Sequence, residues 1–339
     1  MALDQDTLGQ IAQGLERILA DAPLEAVDHA SGQGAEADTV WSVLSQNGFP
    51  AIAAGEAQGG FGGSIADAAL LAQLTAHHAL ALPLADTMLV MNVLSQAGLD
   101  LPQLKLALAD PVEPEAHLAH AIQAQAVLTL AHGQLQLAPL SPEILTVQER
   151  MEDGAAALSG PLPAPSIEGP APNWLTPIGL RALGALIRSA QMAGAMQAVL
   201  DLTLSYTQER EQFGRPLAKF QAIQHHLSDI ACETAASIAA VELACDAIQA
   251  HPECPEEGIE EIAIAKIRCG QAAAQVAACA HQAHGAMGFT REYKLGRYTR
   301  RLWQWQDEFG SESEWSVWLG SRVLADDEPA LWPRISRSV

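Results

Sequence analysis

The stretch that decides the fold reads Arg210-Glu211-Gln212-Phe213-Gly214-Arg215-Pro216, followed by Phe220-Gln221-Ala222-Ile223-Gln224. It separates two long patterns of apolar residues at helical spacing, from residue 178 to about 208 and from 220 to about 249. Glycine and proline cannot continue a helix easily, so the first helix is predicted to end here. The stretch therefore predicts two long helices joined by a tight break.

Two further helical patterns follow. The third helix of the series is predicted to begin with acidic residues, which are favoured at a helix N-terminus, and to run to about His284, before Gly285. The last stretch is rich in tryptophan, and we expect its rings in the bundle core or at a subunit contact. The acids are Glu256, Glu257, Glu260 and Glu261, and the tryptophans are Trp303, Trp305, Trp315 and Trp318. Four amphipathic helices with short breaks predict an antiparallel bundle in residues 173–339.

The rest of the chain predicts two smaller parts. Residues 1–103 are expected to form a helical domain, with a structural turn at 55–63 and a capping box between Ser64 and Asp67. Residues 104–172 predict a reduced β-domain and a Pro-rich linker or extended edge. Its clearest strands, 127–130 and 135–137, flank His132-Gly133 as a hairpin, and 144–147 is another candidate strand. The fold class is mainly α.

Composition excludes several functions. The net charge of −22, from 18 basic and 40 acidic residues, argues against a nucleic-acid partner, which needs a basic face. The apolar runs are too short for a transmembrane helix, and the N-terminus lacks a signal-peptide pattern, so we expect a soluble cytoplasmic chain with no membrane partner. The five cysteines are expected to be small buried residues in a reducing compartment.

No metal site is predicted. The neighbouring pairs His77-His78 and His225-His226 point in different directions on a helix. His281 and His284 lie three residues apart beside Cys279, which hints at a ligand set, but they also belong to a loop with another predicted role.

A second stretch reads Gln282-Ala283-His284-Gly285-Ala286-Met287-Gly288-Phe289-Thr290-Arg291-Glu292-Tyr293. Together with the first, in this order and separation, it resembles the paired signatures of the acyl-CoA dehydrogenase family. The resemblance implies an N-terminal helical domain, a small β-domain and a C-terminal four-helix bundle. It also implies an acyl-CoA substrate, assembly as dimers or tetramers, and FAD as cofactor.

The resemblance also implies which residues bind FAD. The positions matching Arg210, Gln212 and Phe213 reach a flavin held mainly by a neighbouring subunit, and the loop matching Gln282, Gly285 and Ala286 approaches the adenine half of FAD. A guanidinium pairs well with a pyrophosphate. Ser311 matches a hydroxyl that contacts the cofactor. Taken singly, Arg210 could equally complete a helix dipole, and Phe213 with Gly214 could be an ordinary helix end.

The catalytic base is harder to place. In most members it is a glutamate just before Gly-Thr, and in others it lies on the first bundle helix. The first position is Phe309 here, with Glu308 one residue early, and the second is about Gly184. Glu308 is therefore the candidate catalytic residue, provided that its loop shifts by one residue.

Three roles remain open. The first is an FAD-dependent acyl-CoA dehydrogenase that passes hydride from the thioester to flavin, with an electron-accepting flavoprotein as a candidate partner. The second is a silent subunit that completes the FAD site of an unlike acyl-CoA dehydrogenase chain. No ring-binding stretch is found between 104 and 172, and the pattern around Arg300-Arg301-Leu302-Trp303 resembles unlike-subunit steroid side-chain enzymes. A flavin-free scaffold of the same fold is the third.

Overall fold

The computed structural model describes residues 3–29, 32–113, 118–147, 155–158, 160–252, 254–290 and 292–325. The chain is mainly α, as predicted. The helices are α1 Gln5–Asp21, α2 Leu24–His29, α3 Gly34–Gln46, α4 Ile65–His77, α5 Leu84–Gln96, α6 Pro177–Glu209, α7 Gln221–Ala250, α8 Ile259–His284, α9 Leu295–Asp307 and α10 Glu312–Ala325. The strands are β1 Leu106–Leu108, β2 Ala126–Ala131, β3 Gln134–Pro139, β4 Leu145–Val147, β5 Ala156–Leu158, β6 Ile167–Pro170, β7 Glu211–Gln212 and β8 Arg215–Pro216.

The middle of the chain forms a small sheet of strand order β1-β2-β3-β6. The predicted hairpin is confirmed: β2 and β3 pair antiparallel around His132 and Gly133, which both have positive φ. β6 ends the Pro-rich stretch as an edge strand, where a proline leaves no unmade ladder bond inside the sheet. A separate pair, β4 with β5, includes the strand predicted at 144–147.

The helices and one face of the sheet share one hydrophobic core. Leu128 and Leu137 of the sheet lie in the same buried cluster as Leu71 of α4 and Leu186 of α6. α4 crosses α6 very closely, because a Cβ built at Gly194 would lie 1.9 Å from the carbonyl oxygen of Gln73. This continuous core fixes α6 against the N-terminal helices. The residue limits of the three predicted domains stay a prediction.

Local signals place the helix ends. The capping box is confirmed, since the hydroxyl of Ser64 accepts from the Asp67 N–H and the Asp67 carboxylate accepts from the Ser64 N–H. The acidic residues predicted to begin the third bundle helix lie in two different elements. Glu260 and Glu261 begin α8, whereas Glu256 lies in a 3-10 turn before it and accepts a 2.6 Å hydrogen bond from the N–H of Thr176, the N-cap of α6.

The tryptophan-rich stretch forms two helices and not one, which corrects the prediction. α9 ends at Asp307 because Phe309 and Gly310 both have positive φ and turn the chain before α10. Trp305 and Trp315 are buried in the core, while Trp303 is 46% exposed. Arg301, from the motif that resembles the steroid enzymes, is buried and donates to Asp28 of α2. None of the described helices is both long and apolar enough to cross a membrane.

Candidate functional site

The turn between α9 and α10 carries the candidate base, and buried polar groups fix its shape. The ammonium of Lys266 donates to the carbonyl oxygens of Trp305 and Gln306 at 2.8 and 2.7 Å, at the end of α9. The indole N–H of Trp315 donates to the Phe309 carbonyl at 2.8 Å. Burial lowers the pKa of Lys266 to about 8. Lys266 of α8 therefore fixes the end of α9, and Trp315 of α10 fixes the backbone at Phe309.

Phe309 packs directly on Gly184 of α6. A Cβ built at Gly184 would lie 2.4 Å from Cδ1 of the ring, so the glycine is what lets the phenyl group approach. These are the two positions at which the sequence resemblance allows a catalytic base. Because the two positions touch, a base at either one would lie in the same part of the structure. In this chain the ring of Phe309 lies there.

Glu308 faces the interior and is tied to a buried arginine. Its Oε2 accepts from Nε of Arg188, and its Oε1 accepts from Gln304 at 2.7 Å. Arg188 has no exposed side-chain surface and also donates to both oxygens of Asp86, at 2.7 and 3.0 Å. Burial by itself lowers the pKa of Arg188, but the two carboxylates outweigh it and raise the pKa above its ordinary value. Both oxygens of Glu308 are thus already hydrogen-bonded.

Ser311, predicted to contact a cofactor, caps α10 in this structure. Its hydroxyl donates to Glu314 at 3.0 Å and accepts from the Glu314 N–H. Glu314 also accepts from Arg181, which is paired with Asp110 as well. Burial raises the pKa of Glu314, yet the hydrogen bonds from Ser311 and Arg181 bring it down to about 2. The hydroxyl therefore has a structural partner within the chain.

The break after α6 is an exposed two-strand hairpin. Arg210 ends α6 and β7 pairs with β8 across Phe213 and Gly214, which both have positive φ. Phe213 is 93% exposed, and the side chains of Arg210 and Gln212 are exposed as well. The ring is therefore accessible to another molecule.

The end of α8 lies beside this hairpin. Gly285 has φ 59° and ψ −141°, a conformation open essentially to glycine alone, and Gln282 and Ala286 are exposed next to it. The ring of His284 stacks on Tyr206, in the last turn of α6, at 4.4 Å between centroids. The structure thus brings the two predicted cofactor segments to one end of the bundle.

Comparison with known proteins identifies the family of the C-terminal helices. The model of the acyl-CoA dehydrogenase C-terminal domain matches residues 182–303, which span α6 to α9. The acyl-CoA dehydrogenase IpdE2 of Mycobacterium tuberculosis is 28% identical over 293 residues, 80% of this chain and 82% of that protein. Residues 182–303 thus carry the C-terminal domain of the acyl-CoA dehydrogenase family.

Other acyl-CoA dehydrogenases and their relatives match over less sequence or by fold alone. The acryloyl-CoA reductase (NADH) of Anaerotignum propionicum is 36% identical over 111 residues, 33% of this chain and 27% of that protein. A chain of the ChsE4-ChsE5 complex from M. tuberculosis matches with a TM-score of 0.78 at 17% identity, covering 96% of this chain and 99% of that one. A chain of a Tcur3481-Tcur3483 steroid acyl-CoA dehydrogenase matches with a TM-score of 0.76 at 21% identity, covering 94% and 98%.

The residues at the end of the bundle fit part of an FAD molecule. A Cβ at Gly285 would meet nothing within 4 Å, so its backbone faces open space that a cofactor could enter. The exposed guanidinium of Arg210 suits a pyrophosphate, and the uncovered ring of Phe213 suits a stacking or apolar contact. These groups suit the phosphate and adenine side.

Sequence reasoning missed the partners of Arg188 and the burial of Lys266. Arg188 is the first charge after Gly184 along the helix, and Lys266 lies in α8 like any helix-surface lysine. The signal that could have found Arg188 is its place in residues 182–200, which contain no other charge. A lone cation on an otherwise apolar helix must be paired if the helix is buried.

Proposed function

We propose that this chain is a subunit of an FAD-dependent acyl-CoA dehydrogenase assembled from two unlike chains, and that the partner supplies the catalytic base. The observation that carries the proposal is the packing of Phe309 on Gly184. Proton removal next to a thioester needs a carboxylate at that place, and a phenyl ring cannot accept a proton.

Glu308 does not replace the missing base in this proposal. To act, it would have to leave Arg188 and Gln304, and Arg188 would then keep only Asp86 as a buried counter-charge. Losing a buried partner of this kind costs about 3–5 kcal/mol. Proton abstraction would carry that cost on top of its own barrier.

The chain's contribution is to bind and orient the cofactor. FAD accepts the hydride in acyl-CoA dehydrogenation. Arg210 would pair with its phosphates, Gly285 would let backbone groups approach, and Phe213 would cover an apolar part of the cofactor or partner. Two of the matched structures, ChsE4-ChsE5 and Tcur3481-Tcur3483, are named as pairs of chains, which agrees with this arrangement. The acyl group remains a sequence-based prediction, a bulky or steroid-derived chain.

The test compares the chain alone with the chain co-purified with an acyl-CoA dehydrogenase chain of the same organism. Both preparations are assayed for acyl-CoA-dependent reduction of an electron-accepting dye, using short, long and steroid-derived acyl-CoA thioesters. We expect no turnover from the chain alone, turnover from the pair, and bound FAD in the pair.

The variant Glu308→Gln separates this proposal from an independently active enzyme. In the pair we expect the folded variant to keep turnover within about twofold of the unsubstituted pair, because the partner supplies the base; the loss of the buried charge beside Arg188 is expected in a lower free energy of unfolding. Turnover by the chain alone that disappears in Glu308→Gln would establish Glu308 as the base. A colourless pair without bound flavin would instead favour the scaffold role.

A further inference from the structure

Three ligand types from two helices meet on the seam between α7 and α8. His226 and Asp229 lie three residues apart in the second and third turns of α7, so both side chains lie on one face. Cys279 comes from the C-terminal half of α8. One ligand atom from each residue lies within 4.8 Å of the other two.

The imidazole of this group lacks a partner. Nδ1 of His226 is buried and makes no hydrogen bond, a state that costs about 1–3 kcal/mol for a polar atom. Cys279 is 5% exposed, and its sulfur accepts only a weak 3.6 Å contact from the amide of Gln275. Asp229 is exposed and provides the route by which an ion can enter. The group is therefore built into the helix seam and open at one side.

We propose that His226, Asp229 and Cys279 bind a divalent transition-metal ion of the zinc class. Imidazole, thiolate and carboxylate are the three ligand types that zinc takes in proteins. A thiolate and a carboxylate together balance the 2+ charge, and the strongly acidic chain attracts cations generally. Ligand atoms around tetrahedral zinc are about 3.5 Å apart, so the group closes by about 1 Å on binding. The fourth position is left for water.

Each of the two neighbouring histidines, His281 and His284, has one ring nitrogen engaged elsewhere and one buried nitrogen without a hydrogen bond. Nε2 of His281 is 3.0 Å from the hydroxyl of Thr299, and Nδ1 of His284 is 2.8 Å from the carbonyl of Ala280. Their rings also stack on other aromatic side chains. Among the described residues, the sulfur of Cys279 groups with the ligand atoms of His226 and Asp229 and not with those of these two histidines. The expectation of no metal site considered spacing along the chain, whereas the site proposed here is made across two helices.

A bound ion would join the two cofactor segments. The first turns of α7 follow the hairpin of Phe213, and the last turns of α8 lead into Gln282 and Gly285. Linking these turns restricts their relative motion, so ion binding is expected to raise the melting temperature of the chain. This role is independent of the missing base.

The experiment uses the full chain, freed of metal by dialysis against a chelator. Zinc binding is measured by equilibrium dialysis, and cobalt binding by the thiolate-to-cobalt charge-transfer absorption. We expect one zinc per chain and a cobalt band that requires Cys279. Removing a residue that only hydrogen-bonds to a metal ligand already weakens metal binding about 10–100-fold. Removing a ligand itself is therefore expected to weaken zinc binding at least about 100-fold, and the variants are Cys279→Ser, His226→Asn and Asp229→Asn.

Matched controls identify the site. His225→Asn removes the adjacent histidine, and Cys232→Ser removes an exposed thiol on the same helix. Both are expected to bind like the unsubstituted chain. Asp229 is exposed, so its variant keeps the fold even if a buried substitution does not. The proposal is overturned if no zinc binds, if Asp229→Asn and Cys279→Ser bind normally, or if Cys232→Ser abolishes the cobalt band.

Discussion

The ring of Phe309 lies against the Cα of Gly184, so closely that a Cβ added to the glycine would fall 2.4 Å from the ring. The contact joins α6 to the turn after α9, and it occupies the place at which the family's base is expected. Its geometry makes a direct prediction about stability.

Gly184→Ala is expected to destabilise the chain by about 1–3 kcal/mol, because the added methyl group overpacks against Phe309. In a Phe309→Ala background the same change is expected to stabilise by up to about 1 kcal/mol, since alanine is the better helix residue. Urea unfolding of the four chains gives the coupling.

Gly194→Ala is the matched control on the same helix. Its Cβ meets the carbonyl oxygen of Gln73 and not Phe309, so Phe309→Ala cannot relieve it. If Gly184→Ala were equally destabilising with and without Phe309, the packing described here would be wrong.

Arg188→Met is expected to lower the free energy of unfolding by about 3–5 kcal/mol, because it leaves Asp86 and Glu308 buried without their cation. Arg322, which pairs with Glu260 at the surface, provides the comparison. Arg322→Met is expected to cost at most about 1 kcal/mol, the range of exposed ion pairs. Similar losses from the two substitutions, measured by urea unfolding at neutral pH, would show that Arg188 is not held in a buried cluster.

The sequence predicted the parts of the fold that depend on local signals. The limits of α6 and α7 fall within one or two residues of the expected ones, because Thr176-Pro177 starts one helix and Gly214 separates the two. The hairpin at Gly133 is likewise predicted from a local signal, a glycine between two short apolar runs. Each of these signals acts over a few residues, so no knowledge of distant contacts was needed.

The rest depends on contacts between residues far apart in the chain. Arg188 is 102 residues from Asp86 and 120 from Glu308, and no local pattern joins them. The break between α9 and α10 requires a positive φ at Phe309, a conformation that is unfavourable for residues other than glycine. Burial of the ring against Gly184 offsets this cost. The approach of Cys279 to His226 likewise follows from how α7 packs on α8. The FAD-binding residues stay a prediction, although the structure places both segments at one end.

Arg210→Ala is expected to weaken FAD binding by the co-purified pair about 10–100-fold, the loss of hydrogen bonds to a charged group. The side chain is exposed, so the melting temperature of the chain alone should not change. Lys219→Ala removes another exposed cation from the same connection and is expected to leave FAD affinity unaltered. Fluorescence titration of the flavin-depleted pair measures all three. Equal affinities would remove Arg210 from the cofactor site.

Lys266 is expected to make stability depend on pH in the alkaline range. Burial lowers its pKa from 10.5 in the unfolded chain to about 8 in the folded one. Between these values the unfolded state holds the extra proton, so the contribution of Lys266 to stability rises with pH; it is complete above about 10.5 and lost as the pH falls through about 8.

Lys266→Met removes this dependence. The free energy of unfolding of the unsubstituted chain, minus that of the variant, is expected to rise by up to about 3 kcal/mol from pH 8 to pH 10.5, at 1.36 kcal/mol for each pKa unit. Lys219→Met, at the surface, should give a difference that stays constant over this range. Urea unfolding at several pH values measures both. A constant difference for Lys266→Met as well would contradict the burial of the ammonium, because desolvation is the largest cause of its lowered pKa.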